Sequence, residues 1–291
     1  MAEYEFETWD VFTDRRFGGN PLAVFPDARG LSDADMQALG GEFNLSEITF
    51  VLPPDDPSNT AWVRIFTPKE ELPFAGHPNV GTALALASRM DATPSAMIFE
   101  EAAGLVRVGL SHDATGLSAV VEAPRPLHRE MDVPSALVAA CAGLEPGDIR
   151  TDFHPPTLAG VGLSFVIAEV DRAALQRAAP DVAAFRTALA QTGAERMALH
   201  LYARDGDTLH ARMFAPLKGI PEDPATGSAN AGLAALLLSL DGRESGEWTI
   251  HQGVEMGRPS LLHATARRTP DGIRASIGGG AVPVMRGVVT V

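Results

Sequence analysis

Two loops of this chain place an ionisable residue just ahead of an apolar helix, and the loops are near copies of one another. The first reads RIFTPKEELPFAGHPNVGTA, from Arg64 to Ala83, and the second RMFAPLKGIPEDPATGSA, from Arg212 to Ala229. Each runs Arg, an aliphatic residue, Phe, any residue and Pro, reaches a second Pro, and closes on an ionisable residue followed by P-x-x-G-[TS]-A. That residue is His77 in one copy and Asp223 in the other. An imidazole and a carboxylate are groups that accept and return protons under mild conditions. Glycine with a hydroxyl residue at a helix start leaves backbone N–H groups available to an anion, which makes Gly76, Gly227 and Ser228 candidate anion holders. Taken alone, each has a plainer reading. His77 would be a loop histidine bonded to backbone, Asp223 an Asp-Pro turn starter, and the glycines, Gly81 above all, aids to close helix packing.

The elements around these loops repeat as well. In the first half, FETWDVF and LAVF read as strands, Ser32 caps a helix over SDADMQALGGEF, and Ile48–Leu52 and Ala61–Phe66 read as strands. A helix is expected from about Asn79, then a hairpin over MIFEEAAGLVRVGL turning at Gly104, and a strand near Leu117–Val121. After a linker at Ala123–Pro126, helices are expected near Ser135–Ala142, Arg172–Ala178 and Val182–Gln191. They alternate with strands at Gly162–Val170, Met197–Ala203 and Thr208–Ala215. The apolar helix ANAGLAALLLSL follows, then two strands around a glycine turn in WTIHQGVEMGRPSLLHATA, and a last strand in GGGAVPVMRGVVTV. Helices of Ala, Gly and Leu, apolar all round, belong inside a protein. One per half among many strands predicts a curved sheet wrapped around a central helix. The spacing of FGGNPLAVF does not match the G-x-G-x-x-G of a dinucleotide fold.

Bulk composition narrows the partners. With 291 residues the chain has room for one large domain or two ordinary ones, and 23 basic against 37 acidic residues give a net charge of −14. Such a surface repels nucleic acid and anionic membranes, so neither is expected as a partner. The longest apolar run, Ala231–Leu240, is too short to span a bilayer. The first residues show no signal-peptide pattern, and a cytoplasmic protein is the expectation. The single cysteine, Cys141, lies in an apolar helical run and reads as packing. The eight histidines show no metal-ligand spacing, so neither metal nor cofactor is expected.

Five motifs then fall in one order along the chain: F-x-G-N-P-x-A-V at Phe17–Val24, N-L-S-E at Asn44–Glu47, F-x-G-H-P at Phe74–Pro78, D-P-A-T-G-S-A at Asp223–Ala229, and Q-G-x-x-M-G-R-P-S at Gln252–Ser260. Together they resemble the PhzF-like phenazine biosynthesis family. The resemblance implies an α+β fold of the diaminopimelate epimerase type, with two pseudo-symmetric halves, each a barrel-like sheet around a central helix, and an active site in the cleft between. The halves would be residues 1–122, joined by a returning strand at 282–291, and residues 123–281. It implies that Glu47 is the catalytic acid and base, moving a proton between carbons of a cyclic amino acid, with His77 and Asp223 beside it. Asn20 and Ser46 would shape the pocket, and Arg258 would either meet a substrate carboxylate or serve structure. A homodimer is also implied. Physically, a carboxylate kept from water is a stronger base than one in solution.

Relatives of this fold that racemise use one cysteine per half. A chain whose only cysteine lies outside both loops cannot do so. The activity implied is a cofactor-independent isomerisation similar to that of trans-2,3-dihydro-3-hydroxyanthranilate. The alternatives are an epimerase or racemase of a small amino acid, using Glu47 and Asp223 as two bases, and a non-catalytic protein that binds small acids.

Overall fold

The computed structural model describes residues 1–113 and 116–291. The chain divides into two units, residues 1–122 with 278–291, and residues 123–277. In the first unit the elements are β1 (Glu3–Val11), β2 (Asn20–Phe25), α1 (Asp33–Phe43), β3 (Glu47–Leu52), β4 (Ala61–Phe66), β5 (Glu71–Leu72), α2 (Gly76–Ala87), β6 (Ala96–Glu101), β7 (Gly104–Asp113) and β8 (Gly116–Glu122). The second unit has β9 (His128–Asp132), α3 (Ser135–Cys141), β10 (Ile149–Arg150), β11 (Thr157–Gly160), β12 (Ser164–Val170), α4 (Arg172–Arg177), α5 (Val182–Thr192), β13 (Leu199–Asp205), β14 (Thr208–Ala215), β15 (Ile220–Asp223), α6 (Gly227–Asp241), β16 (Ser245–Gln252) and β17 (Ser260–Thr269). The last strand, β18 (Gly272–Thr290), begins in the second unit and ends in the first.

The first unit is a barrel. Strand β1 pairs antiparallel with β2, β2 parallel with β3, β3 antiparallel with β4, β4 parallel with β6, and β6, β7 and β8 follow as an antiparallel meander. Strand β18 pairs with both β8 and β1, which closes the ring. Helix α2 lies against β1, β2, β3, β7 and β8. Its residues are buried on every side, as Ala, Gly and Leu around the whole circumference require. The second unit repeats the order. Strands β11 to β14 pair as β1 to β4 do, β14 runs parallel to β16, β16 antiparallel to β17, and α6 packs on β11, β12, β16 and β17.

Local chemistry sets the boundaries. Ser32 and Asp35 form a reciprocal capping box at the start of α1, and Asn44 ends that helix in the left-handed conformation at φ 49°. The β6–β7 hairpin turns at Gly104, with φ 110°. The arginine of each repeat forks onto a glutamate of its own loop. Arg64 donates to both oxygens of Glu71 at 2.7 Å, and Arg212 to both oxygens of Glu222 at 2.8 Å. Both contacts fasten the loop that leads into the buried helix.

Two boundaries shift, and strand β9 was not expected. The strand expected over Gly162–Val170 is β12, starting two residues later at Ser164, with Gly162 in the turn that joins it to β11 at φ 156°. Strand β9 follows the Ala123–Pro126 linker, yet its residues are mostly exposed and carry no alternation to read. Helix α2 starts at Gly76, three residues before Asn79. Pro78 is its third residue, where a missing N–H breaks no helical bond.

The two buried helices share a pattern once their starts are superposed. Gly76, Asn79 and Gly81 of α2 take the positions of Gly227, Asn230 and Gly232 of α6. The second glycine of each lets the sheet come close. A Cβ on Gly81 would sit 2.5 Å from Leu22 Cδ2 and 2.7 Å from Val11 Cγ2, whereas on Gly232 it would meet only the Gly160 Cα, at 3.4 Å, and Ile167. Alanine gains about 1 kcal/mol over glycine inside a helix, and overpacking a core costs roughly 1–3 kcal/mol. Gly81→Ala is therefore expected to lower unfolding stability by about 1 kcal/mol, while Gly232→Ala leaves it unchanged or raises it. Urea denaturation of the two variants measures the difference.

Candidate active site

In the first unit the fold gathers five of the eight candidate residues. The turn Asn44–Ser46 leads into β3, whose first residue is Glu47. Parallel pairing sets Leu22 opposite Glu47, which brings the start of β2 beside that turn, and Ser46 Oγ donates to Asn20 Oδ1 at 3.3 Å. The loop before Asn20 has no freedom. Gly19 is left-handed at φ 60°, and a Cβ there would lie 2.3 Å from the Val11 carbonyl oxygen. The Phe17 N–H donates to the Asp10 carboxylate at 2.6 Å. This accounts for the F-x-G-N-P motif as the brace of the β1–β2 turn.

His77 is the second residue of α2, and its Nδ1 stands 3.4 Å from Glu47 Oε2. The ring also donates to the Pro21 carbonyl, while burial drives its pKa from an ordinary 6.5 down to about 3. Near pH 7 the imidazole is therefore neutral, and the pair is not an ion pair. With acceptors at Nδ1, that nitrogen carries the proton. Nε2 is buried with no hydrogen-bond partner, and it presents a lone pair. The Glu47 side chain is 17% exposed. Gly76 opens the helix, and its N-cap, Ala75, supplies no side chain to cap the first N–H groups.

The second unit holds the other three. Asp223 ends β15, four residues before α6, and accepts from Thr226 Oγ at 2.5 Å. Gln252, the last residue of β16, organises this loop. Its Nε2 donates to the Asp223 carbonyl at 2.8 Å and to Thr226 Oγ at 3.1 Å. Its Oε1 accepts from the Thr226 N–H at 3.1 Å and from Asn230 Nδ2 at 2.7 Å. Asn230 also donates to the Thr226 carbonyl, and its Oδ1 lies 3.1 Å from His200 Nε2. Gly227 and Ser228 are the first two residues of α6, and the Thr226 side chain turns to Asp223 and Gln252 instead of capping them. The Q-G-x-x-M-G-R-P-S motif thus supports the D-P-A-T-G-S-A loop. Gly253, at φ 73°, has the Pro224 carbonyl 2.6 Å from where a Cβ would be, and Ser260 Oγ donates to that carbonyl at 2.9 Å. The Arg258 N–H donates to the Gly253 carbonyl and closes the turn.

The expected equivalence of His77 and Asp223 does not hold. The P-x-x-G-[TS]-A match aligns Gly81 with Gly227, but the helices begin at Gly76 and Gly227. Measured from the helix start, His77 corresponds to Ser228, and Asp223 belongs to a loop three residues longer. Asn79, Asn230, Thr226 and Gln252 were missed, although G-x-x-N-x-G in both helices was available to find two of them. Each asparagine donates to the carbonyl of its own N-cap residue, Ala75 or Thr226, at 3.0 Å. Glu47, by contrast, has no counterpart. Ile48 is opposite Phe66 and Leu199 opposite Phe214, so the residue in the place of Glu47 is Ala198.

Residues 9–287 match the family described as phenazine biosynthesis-like protein. The chain belongs to this family. Among its relatives is a protein described as an uncharacterized isomerase from Mesorhizobium japonicum, 39% identical over 99% of both chains. Another is the trans-2,3-dihydro-3-hydroxyanthranilate isomerase of Pseudomonas chlororaphis, 36% identical over 96% of this chain and 97% of that one. Of solved structures, a PhzF-family protein from Bacillus anthracis superposes with a TM-score of 0.91 at 23% identity over the whole of both chains. A hydroxyproline epimerase from Agrobacterium vitis shares the fold at a TM-score of 0.61 and 12% identity, over 99% of this chain and 92% of that one. The α+β, epimerase-like fold implied by the motifs is the fold of this family.

The buried ring makes a prediction. His77 binds a proton near pH 6.5 when unfolded and near pH 3 when folded, so its neutral form contributes stability that is complete above pH 6.5 and lost as pH falls toward 3. The stability difference between the native chain and His77→Gln should therefore shrink steadily between pH 6.5 and 4. A pH series of thermal melts measures it.

Proposed function

We propose that this protein is a cofactor-independent isomerase that moves a proton within a small cyclic carboxylic acid, with Glu47 as its base and then its acid. The observation that carries this reading is that Glu47 is single. It sits at the head of a strand beside neutral His77, and the matching strand of the second unit has Ala198 in its place. A racemase of this fold needs a base on each face of the carbon, whereas a shift along one face needs only one.

In the proposed reaction Glu47 takes a proton from carbon, leaving the electron pair delocalised over the ring and its substituents, and returns the proton to another carbon of the same face. No group leaves and no oxidation occurs. Because His77 is uncharged, it does not hold Glu47 in its ionised form by charge, and its Nε2 lone pair suits a substrate N–H or O–H. The backbone N–H groups at Gly76, and those at Gly227 and Ser228, have the chemistry to favour a carboxylate or a developing anion. Asp223 has the charge to hold a substrate amine. Asn20 and Ser46 shape the approach to Glu47.

The relatives at 36% identity suggest the substrate class, and trans-2,3-dihydro-3-hydroxyanthranilate is the first compound to test. The assay is its conversion in D2O, followed by NMR for the shifted double bond and for deuterium at the receiving carbon. General acid–base catalysis is worth roughly 10²–10⁴-fold, so Glu47→Gln should lose at least about 100-fold in kcat while its melting curve is kept. Asp223→Asn should mainly raise KM. Full activity in Glu47→Gln would overturn the assignment, and deuterium appearing at an inverted stereocentre without a double-bond shift would favour the epimerase reading.

A further inference from the structure

Glu101 is the last residue of β6, only 8% exposed, and neither of its carboxylate oxygens has a hydrogen-bond partner. The polar side chain against it is Asn79, whose Oδ1 is also buried without a partner. An ionised carboxylate left in this condition would be among the costliest groups a core can hold.

Sheet register shows what belongs there. Ala61 is opposite Phe99 where β4 meets β6, and Leu209 is opposite Ile250 where β14 meets β16. The repeat aligns Arg64 with Arg212, hence Ala61 with Leu209, and two residues further along Glu101 takes the place of Gln252. The Gln252 amide donates and accepts at once, tying Asn230 and the N-cap of α6 together. A carboxylate can only accept, whereas a carboxylic acid does both.

We propose that Glu101 is a positioning residue that works as a neutral acid, donating its proton to Asn79 Oδ1 and holding the first turn of α2 as the Gln252 amide holds that of α6. Among the described residues of β4 and β7, nothing charged on this side opposes it. On its face of the sheet lie Ala61, Val63 and Ile65 of β4 and Gly104, Val106 and Val108 of β7, while Arg64, Glu100 and Arg107 belong to the opposite face. The titratable residue of α2 is His77, which is uncharged. Burial pushes the Glu101 carboxyl up to about 8, outweighing the opposing pull of the Asn79 side chain beside it. The same turn carries Gly76 and His77, so the inference extends the proposed reading of that site, but its test does not depend on turnover.

The sign of the effect follows from linkage. The folded chain holds this proton up to about pH 8 and the unfolded chain only to about 4.5, so the stability it contributes is complete below pH 4.5 and is lost as pH rises to 8. Glu101→Gln has no such dependence. The native melting temperature should therefore fall relative to that variant by on the order of 5 °C between pH 5 and 8. The infrared spectrum at pH 7 should show a protonated-carboxyl band that Glu101→Gln lacks. Amide exchange at His77 and Asn79 should quicken in Glu101→Ala and return to the native rate in Glu101→Gln. A melting difference that is flat with pH, or no protonated-carboxyl band at pH 7, would overturn the proposal, even if Glu101→Ala fails to fold.

Discussion

A helix enclosed by a barrel has only protein with which to satisfy the polar groups of its first turn, and much else in this molecule follows from that constraint. The N–H groups of a helix start are normally served by water or by a capping side chain. Neither Ala75 nor Thr226 caps its helix with a side chain. Each unit instead has an asparagine one turn into the helix that donates to the N-cap carbonyl, and in the second Gln252 accepts from the Thr226 N–H, the place that the proposal gives to Glu101 in the first. In each unit the polar groups are therefore brought together at the start of the buried helix, beside His77 in the first and beside the Asp223 loop in the second. A structural debt and a chemical opportunity coincide there.

The two units meet this constraint with different chemistry. The second builds a continuous hydrogen-bonded chain from His200 through Asn230 and Gln252 to Thr226 and Asp223. In the first, Thr49 takes the place of His200 and bonds Thr82 at 2.8 Å instead of the asparagine. Asn79 Oδ1 therefore lacks the imidazole that Asn230 has and is available to the Glu101 proton. Such asymmetry between related halves is how a duplicated scaffold comes to carry a base on one side only. One half keeps a satisfied turn, and the other keeps the His77 Nε2 lone pair on the turn beside Glu47.

Much of this was legible in the residues. Ser32 with Asp35 marked the start of α1, Gly104 marked a hairpin, and the all-round apolar character of the two Ala–Leu helices required that they be enclosed. The five ordered motifs pointed to the family and its fold. The alignment of the repeats was not legible in the same way. The P-x-x-G-[TS]-A identity is stronger on paper than G-x-x-N-x-G, yet backbone geometry counts residues from the helix start, and the second loop is three residues longer. Glu101 was hidden for another reason. In E-E-A-A-G it reads as one of two turn charges. Only the two-residue period that sets Met97, Phe99 and Glu101 on one face, and Glu100 on the other with the Asp55 and Asp56 N–H groups, shows that the second glutamate points inward.

The pairing of β18 with β1 and β8 has a consequence for the order in which this protein is made. Glu3 meets Thr290 and Val11 meets Ala281, so the ring that encloses α2 is completed by residues near the far end of the chain. During synthesis the first unit has an open seam, and two strand edges beside an apolar helix, for as long as the whole second unit is being translated. The first unit is thus the last to close.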